Sequence, residues 1–176
     1  MHHFNRREDR LFAENIDVTA LAEQVGTPFY CYSTATLRQH YTRLKEAFSQ
    51  NDVTICYSVK ANSNLGVIAT LADLGSGADV VSEGELRRAL LSGIPAEKIV
   101  FSGVGKTGAE MAFALNADIA QFNVESRAEL EQLSEVATRV GKTARISLRV
   151  NPDIDAGTHE KISTGKAENK FGIAWD

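Results

Sequence analysis

From residue 53 onward the chain alternates two kinds of hydrophobic pattern. Short β-rich runs, VTICYSV (53–59), GADVVS (77–82), KIVFSG (98–103), DIAQFNV (118–124) and ARISLRV (144–150), are separated by stretches 64–74, 83–92, 107–116 and 126–140, where apolar residues fall three and four apart. The first kind has the length of a buried strand and the second the period of an amphipathic helix. Ser82 and Ser126 each stand three residues before a glutamate, the Ser-x-x-Glu form seen in capping boxes, and Gly75, Gly93 and Gly141 sit where the helices should stop. Strand, helix and strand recurring about every 20 to 26 residues predict consecutive βα units, a parallel sheet and right-handed crossovers.

A doubly wound open sheet and a β/α barrel both fit such units. Even strand lengths, with no reversal of strand order to read, favour the barrel. A complete barrel takes eight units and about 250 residues, whereas five strands are visible. The expected fold is therefore α/β, the N-terminal portion of a (β/α)8 TIM-type barrel. The first fifty residues differ: DVTALAEQVG predicts a helix, TPFYCYS a strand entered by a turn at Thr27-Pro28, and TATLRQHYTRLKEAFSQ an amphipathic helix capped by Ser33 or Thr34. After residue 150, NPDIDAGTHEKISTGKAENK is polar and without period, and predicts a long loop of the kind that often covers a site.

Composition narrows the function classes. The chain has 176 residues, 43% hydrophobic and 24% charged, which is enough for a domain with a real core. A net charge of −4 argues against a nucleic-acid or anionic-membrane partner. No apolar run approaches the roughly 20 residues of a membrane span, and the polar start MHHFNRREDRLFAEN has no signal-peptide core. The expected location is the cytoplasm. Cys31 and Cys56 lie in strand-like runs and are expected as free, buried thiols of a reducing compartment; no Cys or His pair has metal-ligand spacing, so no metal site is expected. His2 and His3 are terminal and uninformative.

Three charged residues at strand ends are candidate chemistry. Lys60 closes the first strand of the βα series, and side chains at C-terminal strand ends of β/α folds face the site. A lysine partly desolvated there loses its proton more readily and becomes a nucleophile toward aldehydes; a strand-end lysine reaching into solvent is the other reading. Asp79 in GADVVS and Arg149 in ISLRV are charges within strands, costly unless paired. They are either structural ion-pair members or, with Lys60, parts of one convergent polar site. FSGVGKTGAE follows a strand and precedes a helix, but a P-loop needs glycine where Val100 stands, so a βα turn with Thr107 as cap is expected. The glycines at 75 and 77 precede a strand and are no dinucleotide fingerprint. His159 lies in the long loop, where solvation is the default and a contact with the site the alternative.

The stretches YSVKANSN, GSGADVVSEGEL, IVFSGVGKT and LRVNPDIDAGTHEKISTG followed by ENKFGI resemble, in order and spacing, the bacterial diaminopimelate decarboxylases, which are alanine-racemase-like (fold type III) pyridoxal-phosphate enzymes. The resemblance runs from about residue 12 to 173. It implies that Lys60 holds pyridoxal 5′-phosphate as a Schiff base, that Ser58, Asp79 and Arg149 line the cofactor, and that the loop 157–169, with Thr158, His159, Ser163 and Thr164, covers the substrate. It further implies that residues 1–33 contribute to a β-domain completed by a C-terminal half absent here, with 34–176 as the partial cofactor-binding barrel. The implied reaction is decarboxylation of meso-2,6-diaminopimelate to L-lysine, the last step of lysine biosynthesis, by a homodimer. The family's ring-stacking histidine, glycine-rich phosphate loop, pyridine-pairing acid and partner-donated cysteine have no counterpart in these residues, so the 176-residue chain is expected to be inactive alone. A sister decarboxylase of ornithine or arginine is the alternative enzyme, and a non-catalytic α/β binding module the alternative class.

Overall fold

The computed structural model describes residues 2–154 and 171–174. The four expected substrate-loop residues, Thr158, His159, Ser163 and Thr164, lie outside the described residues. The chain divides into two compact units, Met1–Val53 and Thr54–Asp176.

The first unit opens with an antiparallel meander of β1 (Phe4–Arg7), β2 (Arg10–Ala13) and β3 (Ile16–Asp17). Its first turn is Glu8-Asp9, both with positive φ (48° and 64°), the hand that suits the twist of a hairpin. These strands were not expected, because most of their side chains are solvated and give little apolar alternation. Conversely, TPFYCYS is not a strand: residues 27–33 join no ladder among the described residues, and Tyr30 is 88% exposed. Aromatic and β-branched content favours a pleated, half-buried surface and supplies no partner strand. Helix α1 (Val18–Val25) is capped by the Asp17 carboxylate, and α2 (Thr34–Ala47) by Ser33, whose hydroxyl oxygen accepts from the Thr36 N–H. Glu14 accepts from the Ala35 N–H at 2.9 Å and the Ser33 hydroxyl at 2.8 Å, and these bonds hold its carboxyl below the usual range.

In the second unit β4 (Cys56–Ser58) leads through a short turn, Val59–Ala61, into α3 (Leu65–Ala72). There follow β5 (Gly77–Val80), α4 (Glu83–Leu91), β6 (Ile99–Phe101), α5 (Gly108–Asn116), β7 (Gln121–Val124), α6 (Arg127–Val140) and β8 (Ile146–Leu148). All five expected strands pair in parallel in the order β4-β5-β6-β7-β8. An order without reversal, with consecutive helices packed on one another, is the arrangement of a β/α barrel and not of a doubly wound sheet. Two-residue strands β9 (Val150–Asn151) and β10 (Ile173–Ala174) pair beyond it.

Alternation within the strands separates two faces. Ala78, Val80, Ile99, Phe101, Phe122 and Val124 are buried against Leu86, Met111, Ala114, Leu133 and Val136 of the helices. The intervening residues Ser58, Asp79, Ser102, Gln121 and Asn123 are all only partly buried and polar. Gly77 starts β5 because a Cβ there would collide with the Lys98 carbonyl and lie 2.8 Å from Cys56 Sγ; this explains the glycine that is no dinucleotide signal. Ser82 and Ser126 cap α4 and α6 as expected, but Glu85 and Glu129 accept from the N–H groups of Val81 and Glu125, one residue before the caps. The fully reciprocal box is instead Thr107–Glu110 on α5.

Candidate functional site

The C-terminal ends of β4 to β8 carry the candidate residues. Lys60 sits in the turn directly after β4 and is exposed; among the described residues its amine has no partner. Among the described residues nothing supplies the desolvation expected for it, because β4 is the edge strand of the described sheet on that side.

Asp79 and Ser58 are register partners on β5 and β4. Ser58 Oγ donates to Asp79 Oδ2 at 3.3 Å, and Ser102 Oγ, just past β6, donates to Asp79 Oδ1 at 2.5 Å. Asn123 Nδ2 on β7 donates to Ser102 Oγ, and Gln121 Nε2 to Asn123 Oδ1, each at 2.9 Å. Asp79 is thus met by hydroxyls and, among the described residues, by no cation. Among the described residues Asp79 is therefore no ion-pair member.

Arg149 follows β8 and does form an ion pair. Its Nη1 donates to both oxygens of Glu125, at 3.0 and 3.2 Å, and its Cζ lies 4.9 Å from the Phe171 ring centroid. The Glu125 side chain is 2% exposed against 41% for Arg149, and it also accepts from the N–H groups of Gly103 and Gly172. Burial at one end and exposure at the other fix the guanidinium while leaving part of it open. A cleft of ≈ 440 Å³ lined by Ser102, Gln121, Asn123, Glu125 and Arg149 connects this pair to the Asp79 cluster. Ser58 and Asp79 are therefore brought together and Arg149 shares the adjoining cleft, whereas Lys60 touches neither charge.

Lys106, the lysine of the GKT sequence, turns inward. Its Nζ donates to the carbonyls of Gly103 and Asn123, both at 2.8 Å, and to Glu129 Oε1 at 2.6 Å, with 1% of the side chain exposed. An ammonium so engaged has no donor left for a phosphate, and the P-loop reading is excluded. Thr107 caps α5 as expected. Burial works against the charge of Glu110 in that cap, but N–H groups of Thr107 and Glu83, the Thr107 hydroxyl and the Lys106 charge outweigh it and hold the carboxyl below its ordinary value.

Ser102, Gln121, Asn123 and Glu125 were not singled out from the sequence. The available signal was polar residues two apart in DIAQFNVE, which share one strand face.

Cys31 and Cys56 are free and partly buried. Burial first, and the Asp79 charge second, push the Cys56 thiol above its ordinary value. Cys56 should therefore alkylate more slowly than an ordinary exposed thiol at neutral pH, where less of it is thiolate, and Asp79→Asn should speed it. Peptide mass spectrometry after timed iodoacetamide treatment measures both rates; equal rates in the two proteins would remove the Asp79 contribution.

Residues 34–176 match the family model described as pyridoxal-dependent decarboxylase, pyridoxal binding domain. A diaminopimelate decarboxylase of Vibrio cholerae is 55% identical over the whole chain, and one of Haemophilus influenzae 51% identical over 99% of it. The chain spans 42% of the length of each. Among solved structures, diaminopimelate decarboxylase of Helicobacter pylori complexed with L-lysine aligns with TM-score 0.86 and 49% identity over 90% of this chain and 40% of that one. The enzyme of M. jannaschii, also with L-lysine, aligns with TM-score 0.89 and 42% identity over 98% and 41%.

Proposed function

The chain belongs to the pyridoxal-dependent decarboxylases, and from that premise we propose that the full-length protein containing it converts meso-2,6-diaminopimelate to L-lysine and CO2, completing lysine biosynthesis as a cytoplasmic homodimer. The observation that carries this reading is identity of about half to diaminopimelate decarboxylases along the entire chain.

The residues present fit pyridoxal 5′-phosphate. Covalent attachment needs an accessible primary amine, and Lys60 is exposed and unengaged among the described residues. When bound, the cofactor's pyridine ring supplies an electron sink for the electron pair left as the carboxyl group departs. Lys60 is the covalent anchor, set at the strand mouth by the Val59–Ala61 turn. Asp79, on the strand next to the one that Lys60 follows, presents an acceptor and a negative charge, with Ser58 fixing one oxygen. Arg149, oriented by Glu125, presents a fixed positive charge to the cleft, suited to a carboxylate or phosphate oxygen. Residues 1–33 contribute to a β-domain, and 34–176 form the cofactor-binding part.

Reduction of the full-length protein with borohydride after incubation with pyridoxal phosphate tests the assignment. A pyridoxyl-phosphate mass increment on the peptide containing Lys60, together with L-lysine formed from meso-diaminopimelate, is expected. A label confined to another lysine would overturn the anchor. Putrescine or agmatine as product, from ornithine or arginine, would move the protein to a sister decarboxylase.

A further inference from the structure

We infer that Gln121, Asn123 and Ser102 form a one-directional hydrogen-bond chain that positions the Asp79 carboxylate on the inner face of the sheet. The inference rests on the reading that this face is the cofactor site.

The direction follows from one group. A carboxylate only accepts, so the single proton of Ser102 must go to Asp79 Oδ1, at 2.5 Å. Ser102 Oγ then has only lone pairs for Asn123, which must present its Nδ2–H, at 2.9 Å. That turns Asn123 Oδ1 toward Gln121, which must present Nε2–H, also at 2.9 Å. Every donor in the series points toward Asp79, and bonds aligned in this way polarise one another. The register makes the series possible. Phe101 and Phe122 are partners, so Ser102 and Asn123 stand level on adjacent strands, and Gln121 is two residues behind Asn123 on the same face. Ser58 meets the other Asp79 oxygen at 3.3 Å, so both oxygens are held from opposite sides. All five residues are partly buried, where misdirected donors cost more than at an open surface. The three added residues touch Asp79 only through Ser102 and are positioning residues.

The test uses the full-length protein with carboxyl-13C aspartate, isolating the Asp79 infrared band by difference against Asp79→Asn. Ser102→Ala should shift that band. Asn123→Leu should shift it in the same direction by less, and the double variant should match Ser102→Ala alone, because Asn123 acts through Ser102. Ser102→Thr should restore the band. In the decarboxylation assay Ser102→Ala should lower kcat/KM about tenfold, and Asn123→Leu should then add nothing. A band unmoved by Ser102→Ala, shifts that add in the double variant, or shifted bands with unchanged kcat/KM would each overturn the proposal. If Ser102→Ala does not fold, Ser102→Cys, a weak donor of similar size, carries the same comparison. Absence of the Lys60 label in the unsubstituted protein would defeat the cofactor reading separately, since the infrared band needs no cofactor.

Discussion

Lys60→Ala in the full-length protein should lower turnover at least about 10³-fold, equivalent to about 4 kcal/mol of transition-state stabilisation, while leaving the unfolding temperature of the cofactor-free protein unchanged. The two halves of this expectation have separate grounds. The chemical half rests on the amine. Covalent catalysis at an aldehyde needs a nitrogen nucleophile that can lose a proton, and the exposed turn after β4 offers one in Lys60. Lys60→Arg should fail similarly, since a guanidinium stays protonated and cannot replace an amine. The structural half rests on exposure: Lys60 makes no hydrogen bond or ion pair among the described residues, so its truncation breaks no polar contact among them. Steady-state kinetics beside a thermal melt of the cofactor-free proteins checks both. Activity within tenfold of the unsubstituted enzyme would end the anchor assignment, and a large drop in melting temperature would show that the lysine supports the fold instead.

The second large effect is on stability. Glu129→Leu should destabilise the protein by about 3–5 kcal/mol, because it strands the Lys106 ammonium at 1% exposure with two carbonyls and no hydrogen-bonded counter-charge. Against a total of roughly 5–15 kcal/mol for a typical domain, such a loss lowers the urea midpoint visibly. The paired change Lys106→Met with Glu129→Leu should recover most of it, since replacing both charges leaves no orphan. Lys106→Met alone should also be costly, since Glu129 would keep only the Glu125 N–H. Denaturant titration of the three variants forms a complete cycle. Equal stability of Glu129→Leu and the double variant would show that the pair contributes nothing, and that the β6–α5 loop is held by its backbone alone.

Lys106 also shows where sequence reading stops. Its surroundings in GVGKTG are compatible with a phosphate loop or a βα turn, and only the missing glycine at Val100 argued for the turn. What decides the matter is that Glu129, 23 residues on, lies in the first turn of α6 and takes the ammonium. The same holds at Asp79. Within its own strand an acid looks like half of an ion pair, but its partners are hydroxyls on the two flanking strands. Arg149 looked alike and is a true ion pair, with a carboxylate 24 residues before it.

Local pattern determined the five βα strands, the four helices between them, the caps at Ser82, Ser126 and Thr107, and the position of Lys60 at a strand mouth, and it narrowed the cap of α2 to Ser33 or Thr34. Each of these depends on residues within one or two turns of each other, where periodicity and capping act. It found α1 and α2 but misjudged the strands of the first fifty residues, since a strand exists only with a partner: TPFYCYS has the composition and no ladder, while Phe4–Arg7 has a ladder with little apolar alternation. Tertiary structure alone decided which charges meet. It sent Lys106 into the interior, gave Arg149 to Glu125 and Asp79 to Ser58 and Ser102, and gave Lys60 no partner among the described residues. Those pairings join residues 21 to 24 positions apart, the span of one βα unit, so parallel register rather than local sequence brings them within bonding distance.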